Sequence, residues 1–159
     1  MPAHSTKSVP RRSHRAPRYI PRMSKHFTVE QANRTLPLVR RIVEDVVGQY
    51  RRWQDRVREL EIVGVGRSES NPVPRADELE REIQDLASEI AGFERELSAL
   101  GIRLTDHAIG LVDFPSVVDG REVFLCWRIG EPAVQYWHDK EAGFAGRRPL
   151  PPHAVDSRP

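Results

Sequence analysis

Six residues in the C-terminal third have side chains suited to holding a ligand: Asp113, Trp127, Trp137, His138, Phe144 and Arg147. Six of the eleven aromatics of the chain fall within residues 111–146, so a carboxylate, an imidazole and a guanidinium share a stretch rich in rings that exclude water. Asp113, just before Phe114-Pro115, reads as a strand-end carboxylate open to desolvation and a perturbed proton affinity; the plainer reading is that it caps a turn made by Pro115 and Ser116. Gly143 to Arg148 combines glycine amides with two guanidinium forks, a pattern that fits a phosphate or carboxylate. The structural use of Arg147 is instead to bind Asp113 or Glu131 and pin the terminal loop to a sheet. A metal reading gathers His138, Asp139 and Glu141 with His107, Asp106 or Asp113, all acceptable ligands for a borderline divalent ion. No two of these have the spacing of ligands on one helical turn, and no Cys/His spacing matches a structural zinc site, so the sequence implies neither a metal nor a cofactor. Cys126 lies mid-strand beside Trp127 with no histidine next to it in sequence, and reads as a small inert hydrophobe rather than a nucleophile. The sequence assigns no catalytic residue.

The elements that must position these groups begin with a helix. Thr28 is an N-cap, Gln31 completes its capping box and Glu30 sits in the positive first turn. Pro37 removes a donor and crowds the carbonyl four residues back, which predicts a short first helix that breaks near Thr35 and Leu36 before a longer one.

Leu36, Val39, Val43, Val46, Tyr50, Trp53, Val57 and Leu60 then recur at alternating steps of three and four, and Leu79, Ile83, Leu86, Ile90, Phe93, Leu97 and Leu100 do the same. This is the spacing of a coiled-coil seam, and it predicts that the rings of Tyr50, Trp53 and Phe93 are core. The second run is bounded by Asp77 with Glu80 as an N-terminal capping box and by Gly101 as a left-handed C-cap, with Ile102 placed to touch Leu97. Between the runs, Val63 to Pro74 is rich in Gly, Pro and Ser and cannot continue a helix. Folding back here pairs Leu60 with Leu79 and so on to Val39 with Leu100, and in every pair the residue numbers add to 139 or 140. Charge agrees: residues 36–62 hold six Arg and five acids, residues 77–100 two Arg and eight acids. Ile42 and Val47 widen the apolar stripe, which calls for a third element or a second hairpin against it.

After Gly101 the period becomes two. Residues 110–117 and 121–129 flank Asp119-Gly120, a strong hairpin signal, and Val123, Leu125, Trp127 and Ile129 make one apolar face. Pro115 predicts that the first strand is an edge or is interrupted. Ala133 to Trp137 supplies a third strand, and residues 143–150 read as loop. The expected fold is α+β: a long antiparallel two-helix coiled-coil hairpin, preceded by a short helix before Pro37, packed against a small antiparallel β meander.

Phe27-Thr28-Val29-Glu30-Gln31-Ala32-Asn33 with Leu36-Pro37-Leu38-Val39, then Gly110-Leu111-Val112-Asp113-Phe114-Pro115, then Cys126-Trp127-Arg128-Ile129-Gly130-Glu131 with Tyr136-Trp137-His138 and Gly143-Phe144-Ala145-Gly146-Arg147, form a distinctive combination. It resembles the bacterial family known as domain of unknown function 2203 over about residues 26–150. The resemblance implies a domain extent and no activity, cofactor or catalytic residue. Its members begin near the Phe-Thr-Val-Glu segment, which implies Met23 as the start.

Charge divides the chain in the same place. Of 25 Lys+Arg and 23 Asp+Glu, seven basic residues and no acid lie in residues 1–25, leaving 18 basic and 23 acidic beyond. With four prolines and four serines, residues 1–25 read as a disordered basic tail, residues 26–150 as one domain (hairpin 26–101, meander and loop 102–150), and residues 151–159 as a second disordered tail. The basic excess belongs to the tail, so it argues against a nucleic-acid partner for the domain, although the tail itself is an electrostatic arm by composition. There is no run of about 20 apolar residues and no secretion signal, and one cysteine cannot form an internal disulfide, so the expected location is the cytoplasm and no membrane partner is implied. Every strong signal is structural, which makes a non-enzymatic interaction module the leading expectation, with a homodimer or a protein partner bound through the hairpin. The competing reading is a small-ligand, anion or metal protein, or an enzyme, with a pocket between meander and hairpin lined by Trp127, Trp137 and Phe144 and oriented by Asp113, His138 and Arg147.

Overall fold

Thr28 accepts a hydrogen bond from the Gln31 amide at 3.1 Å while the Gln31 side chain accepts from the Thr28 amide at 3.0 Å, so the expected capping box opens the first helix. In a computed structural model that describes residues 26–151, α1 (Val29–Val63) and α2 (Pro74–Ala99) are followed by β1 (Arg103–Asp106), β2 (Leu111–Val118), β3 (Arg121–Arg128), β4 (Tyr136–Asp139), a 3-10 turn (Phe144–Gly146) and β5 (Arg148–Pro149). The two helices pack together and the strands form one antiparallel sheet in the order β1-β2-β3-β4-β5, an α+β fold. The expected tails at 1–25 and from 152 onward, and the start at Met23, lie outside the described residues.

The helical hairpin closes in the expected sense. Arg56 bonds Glu82, and Gln49 bonds Glu89, two contacts whose residue numbers both add to 138. Leu100 caps α2, Gly101 takes φ +83°, and the Gly101 and Ile102 amides donate to Ser98 and Leu97 carbonyls, the paired bonds of a Schellman ending. Three expectations are corrected. No short helix precedes Pro37: α1 runs unbroken through it. Pro37 lies on the exposed side, where water can serve the carbonyl that loses its donor, while Leu36 and Val39 on the other side are buried and hold the helix to the sheet. The second helix starts three residues before Asp77, with Val73 as cap and Pro74 in the first position, which needs no donor. Asp77 and Glu80 turn outward to Arg67 of the connecting loop instead of forming a capping box. Finally, the sheet has five strands rather than three, because residues 103–106 and 148–149 pair onto its two edges.

Asp119 at φ +51° and Gly120 at φ +74° make the two-residue turn between β2 and β3. Pro115 lies within β2 but past the end of its pairing with β1, so its missing donor breaks no bond there. On that side its carbonyl accepts the Phe27 amide at 2.7 Å, and Ser116 Oγ donates to the Phe27 carbonyl at 2.6 Å, which ties the chain entering α1 to the sheet.

One face of the sheet meets the helices. Val112, Phe114, Leu125 and Trp127 are fully buried there against Leu36, Val39, Ile42, Val43, Val47 and Leu97, with Trp137 partly buried at the margin. Ile42 and Val47 are therefore covered by the sheet, as the widened stripe requires. Gly110, at φ +58°, brings the β1–β2 turn so close that a Cβ there would lie 2.7 Å from Val43 and 3.0 Å from Val47. Beyond residue 50 of α1 the helices project past the sheet by about 20 Å.

Two glycines test this packing. Gly48 is helical, with open space where a Cβ would go, so Gly48→Ala is expected to stabilise by about 1 kcal/mol and raise the melting temperature by a few degrees in a thermal scan. Gly110→Ala meets backbone strain and two valines at once, and the same scan should show a loss of at least about 2 kcal/mol.

Candidate functional site

Strand alternation sends the other residues of β2, β3 and β4 to the face away from the helices. There Asp113, Cys126 and Tyr136 form one cross-strand row and Pro115, Phe124 and His138 the next. Asp113, Phe124, Cys126 and His138 are all buried, so β2 and β3 are covered on both faces. The imidazole of His138 reaches across β3, its ring 5.6 Å from that of Phe124, and places Nε2 3.1 Å from Asp113 Oδ1. Its Nδ1 lies 2.8 Å from the Asp139 carbonyl. Since that carbonyl only accepts, Nδ1 carries a hydrogen and donates. The remaining nitrogen faces a carboxylate oxygen, an arrangement that is satisfied only when a proton or another cation lies between Nε2 and Oδ1.

Cys126 completes the cluster. Its Sγ, one ring nitrogen of His138 and one carboxylate oxygen of Asp113 all lie within 4.8 Å of one another. Burial pushes the thiol up to about 12, the negative charge of Asp113 adds to the rise, and the Arg147 guanidinium opposes it. As a free thiol it is therefore no nucleophile at neutral pH. Pairing of β3 with β4 also brings beside it a histidine that lies twelve residues away in sequence.

Arg147 closes the far side. It forms a bidentate pair with Glu131, with Nη1 and Nη2 each 2.7 Å from a carboxylate oxygen, and a longer contact of 3.4 Å to the Cys126 carbonyl. Its guanidinium lies 4.2 Å from the Tyr136 ring and 5.1 Å from that of Phe144. Glu131 also accepts the Arg128 amide, and its carbonyl accepts Trp127 Nε1 at 3.0 Å and Arg40 Nη2 at 3.3 Å. Burial raises the carboxyl of Glu131, but the Arg147 fork and the Arg128 amide outweigh it and hold the group below its ordinary range. Of the two structural uses foreseen for Arg147, it takes the one on Glu131.

The six sequence-derived candidates thus divide between two faces. Asp113 and His138 touch, with Arg147 and Phe144 beside them on the outer face, while Trp127 and Trp137 face the helices. The space between sheet and hairpin is filled by side chains of the core, so these six do not line one pocket there. The wider metal set separates as well. His107 bonds Glu94 at 2.6 Å and stacks on Tyr50, Asp106 caps the Ala108 and Ile109 amides, Asp139 pairs with Arg148 at 3.5 Å, and Glu141 is exposed. Asp113 caps no turn, because Pro115 and Ser116 are strand residues.

The Glu131–Arg147 pair gives a pH test. Because the folded carboxyl is held low, the unfolded chain binds more protons between the two values, so the pair contributes stability above the ordinary carboxylate range and loses it as the pH falls. Glu131→Gln is expected to cost about 1.5–3 kcal/mol at neutral pH. In urea titrations the difference from the unaltered chain should shrink as the medium is made acidic.

No curated protein and no solved structure matches the chain. Residues 25–150 match the sequence profile of the family described as "Uncharacterized conserved protein (DUF2203)". That span holds both helices, the whole sheet and the Asp113, Cys126, His138 and Arg147 cluster, and the chain belongs to this family.

Proposed function

We propose that the protein is a cytoplasmic, non-enzymatic interaction module whose projecting helical hairpin docks against the same segment of a second copy, building a four-helix coiled-coil pair. One observation carries this reading. Val39, Val43 and Val46 on the α1 seam are fully buried, whereas Tyr50, Trp53, Val57 and Leu60 on the continuation of the same seam are each only half-buried, as are Ile83 and Leu86 opposite them. The sheet covers the first part; beyond it the two helices alone bury Ala76 and Leu79 but leave these other seam residues partly open to water.

The charge distribution favours a second copy as the occupant. In a two-fold pair each near-neutral α1, with six Arg and five acids over residues 36–62, lies against the strongly acidic α2 of the other. Ile62 and Val65 at the tip are 75% and 80% exposed, off the line of the seam. Among the described residues no helix is long and apolar enough to cross a membrane. The lone cysteine fits a reducing compartment.

Light scattering over a micromolar concentration series should give twice the chain mass, and Trp53→Glu should return the protein to a monomer with its helical circular dichroism retained. A monomer at every concentration overturns the reading.

A further inference from the structure

We propose that Asp113, Cys126 and His138 form a buried binding site for a divalent transition-metal ion of the zinc class. The three side chains offer a thiolate sulfur, an imidazole nitrogen and a carboxylate oxygen, the three donor types that zinc accepts. They project from three neighbouring strands onto one face, so the sheet fixes their spacing before any ion arrives. Donor atoms about 2.0–2.1 Å from a tetrahedral ion stand about 3.3 Å apart. Nε2 and Oδ1 stand 3.1 Å apart, and Sγ lies within 4.8 Å of one ring nitrogen of His138 and of one carboxylate oxygen of Asp113.

The orientation of His138 is the second, independent observation. Its Nδ1 donates to the Asp139 carbonyl, which fixes the tautomer that leaves Nε2 facing Asp113. Metal-bound histidines are held in this way, by donating the outer N–H to a carbonyl or carboxylate.

Charge balances on the same atoms. Without an ion, one proton lies between Nε2 and Oδ1 and one on Cys126 Sγ. A divalent ion displaces both: the proton between imidazole and carboxylate leaves, the thiol becomes a thiolate, and two protons are released for each ion bound. Carboxylate, neutral imidazole and thiolate then carry two negative charges against the two positive charges of the ion, so the buried site stays neutral before and after. Arg147 adds no net charge, because Glu131 neutralises it. Three protein donors leave a fourth coordination position for water or a small anionic ligand.

The test uses the full chain, stripped with a chelator and titrated with zinc and with cobalt(II). Binding of one ion per chain is expected, with two protons released as read from the buffer dependence of the calorimetric heat. Cobalt should give the ligand-field bands of a four-coordinate site and a thiolate-to-cobalt charge-transfer band in the near ultraviolet. Cys126→Ser should abolish the charge-transfer band. Asp113→Asn, nearly the same shape, should weaken binding by more than the about 10–100-fold that changes in outer-shell partners cost. The proposal is overturned by absence of binding, or by binding that lacks the charge-transfer band in the unaltered chain, since an ion held elsewhere meets no thiolate. The spectrum of the unaltered protein decides this even if a variant fails to fold.

Discussion

The bidentate pair between Glu131 and Arg147 joins the turn after β3 to the terminal segment of the fold. Glu131 sits in the turn after β3, and through its carbonyl it receives Trp127 from the core side and Arg40 from α1. Through its carboxylate it holds Arg147, which arrives after the 3-10 turn and carries the chain into β5. Both side chains are nearly buried, at 10% and 13% exposure, so leaving either without its partner strands a charge out of water. The ion pair therefore fixes the terminal segment over the outer face of the sheet, while the Glu131 carbonyl ties the end of β3 to the first helix.

The outer face depends on that arrangement. A small sheet packed on helices by one side ordinarily shows its other side to water. Here the guanidinium of Arg147 lies over Tyr136 and Phe144, and that of Arg103 lies 4.8 Å from the Phe124 ring, so cations and rings roof the face. Beneath them Asp113, Cys126 and His138 are withdrawn from solvent, at 4%, 0% and 2% exposure. Burial of that kind strengthens every interaction inside the cluster and makes any unmatched donor or acceptor costly. The side chains satisfy one another only with a cation, a proton or a metal, between Nε2 and Oδ1.

The periodic parts of this architecture are legible in the residues. The helical hairpin follows from two seams with steps of three and four, the β2–β3 turn from Asp119-Gly120, and the ending of α2 from Gly101 with Ile102. What escapes a linear reading depends on tertiary context. Pro37 is absorbed because Leu36 and Val39 are clamped to the sheet. The strands β1 and β5 are too short, at four and two residues, to carry an alternation pattern of their own. The candidate site is half legible: Asp113 and His138 stand out as types, but 25 residues separate them, and Cys126 looks inert until the strand register sets it beside both. Alternation did hold the one available signal, since Asp113, Cys126 and His138 all fall on the less apolar face of their strands.

The point where the sheet ends on α1 divides the helices into two physical regimes. His107, in the β1–β2 turn, stacks on Tyr50 at 5.3 Å and bonds Glu94 of α2, and it marks that boundary. On the sheet side, the helices are held by apolar burial and tight backbone approach at Gly110. On the far side, Arg56 and Arg75 bridge to Glu59, Glu78 and Glu82, and Arg67 bridges to Asp77 and Glu80. These pairs are open to water and salt, so they set the register of the two helices more than they stabilise them. The distal hairpin is thus set in register by open ion pairs and held by the buried apolar contacts of Ala76 and Leu79. Any surface that covers Trp53, Val57 and Leu86 removes further apolar area from water, next to the Tyr50, His107 and Glu94 contacts that join the hairpin to the sheet.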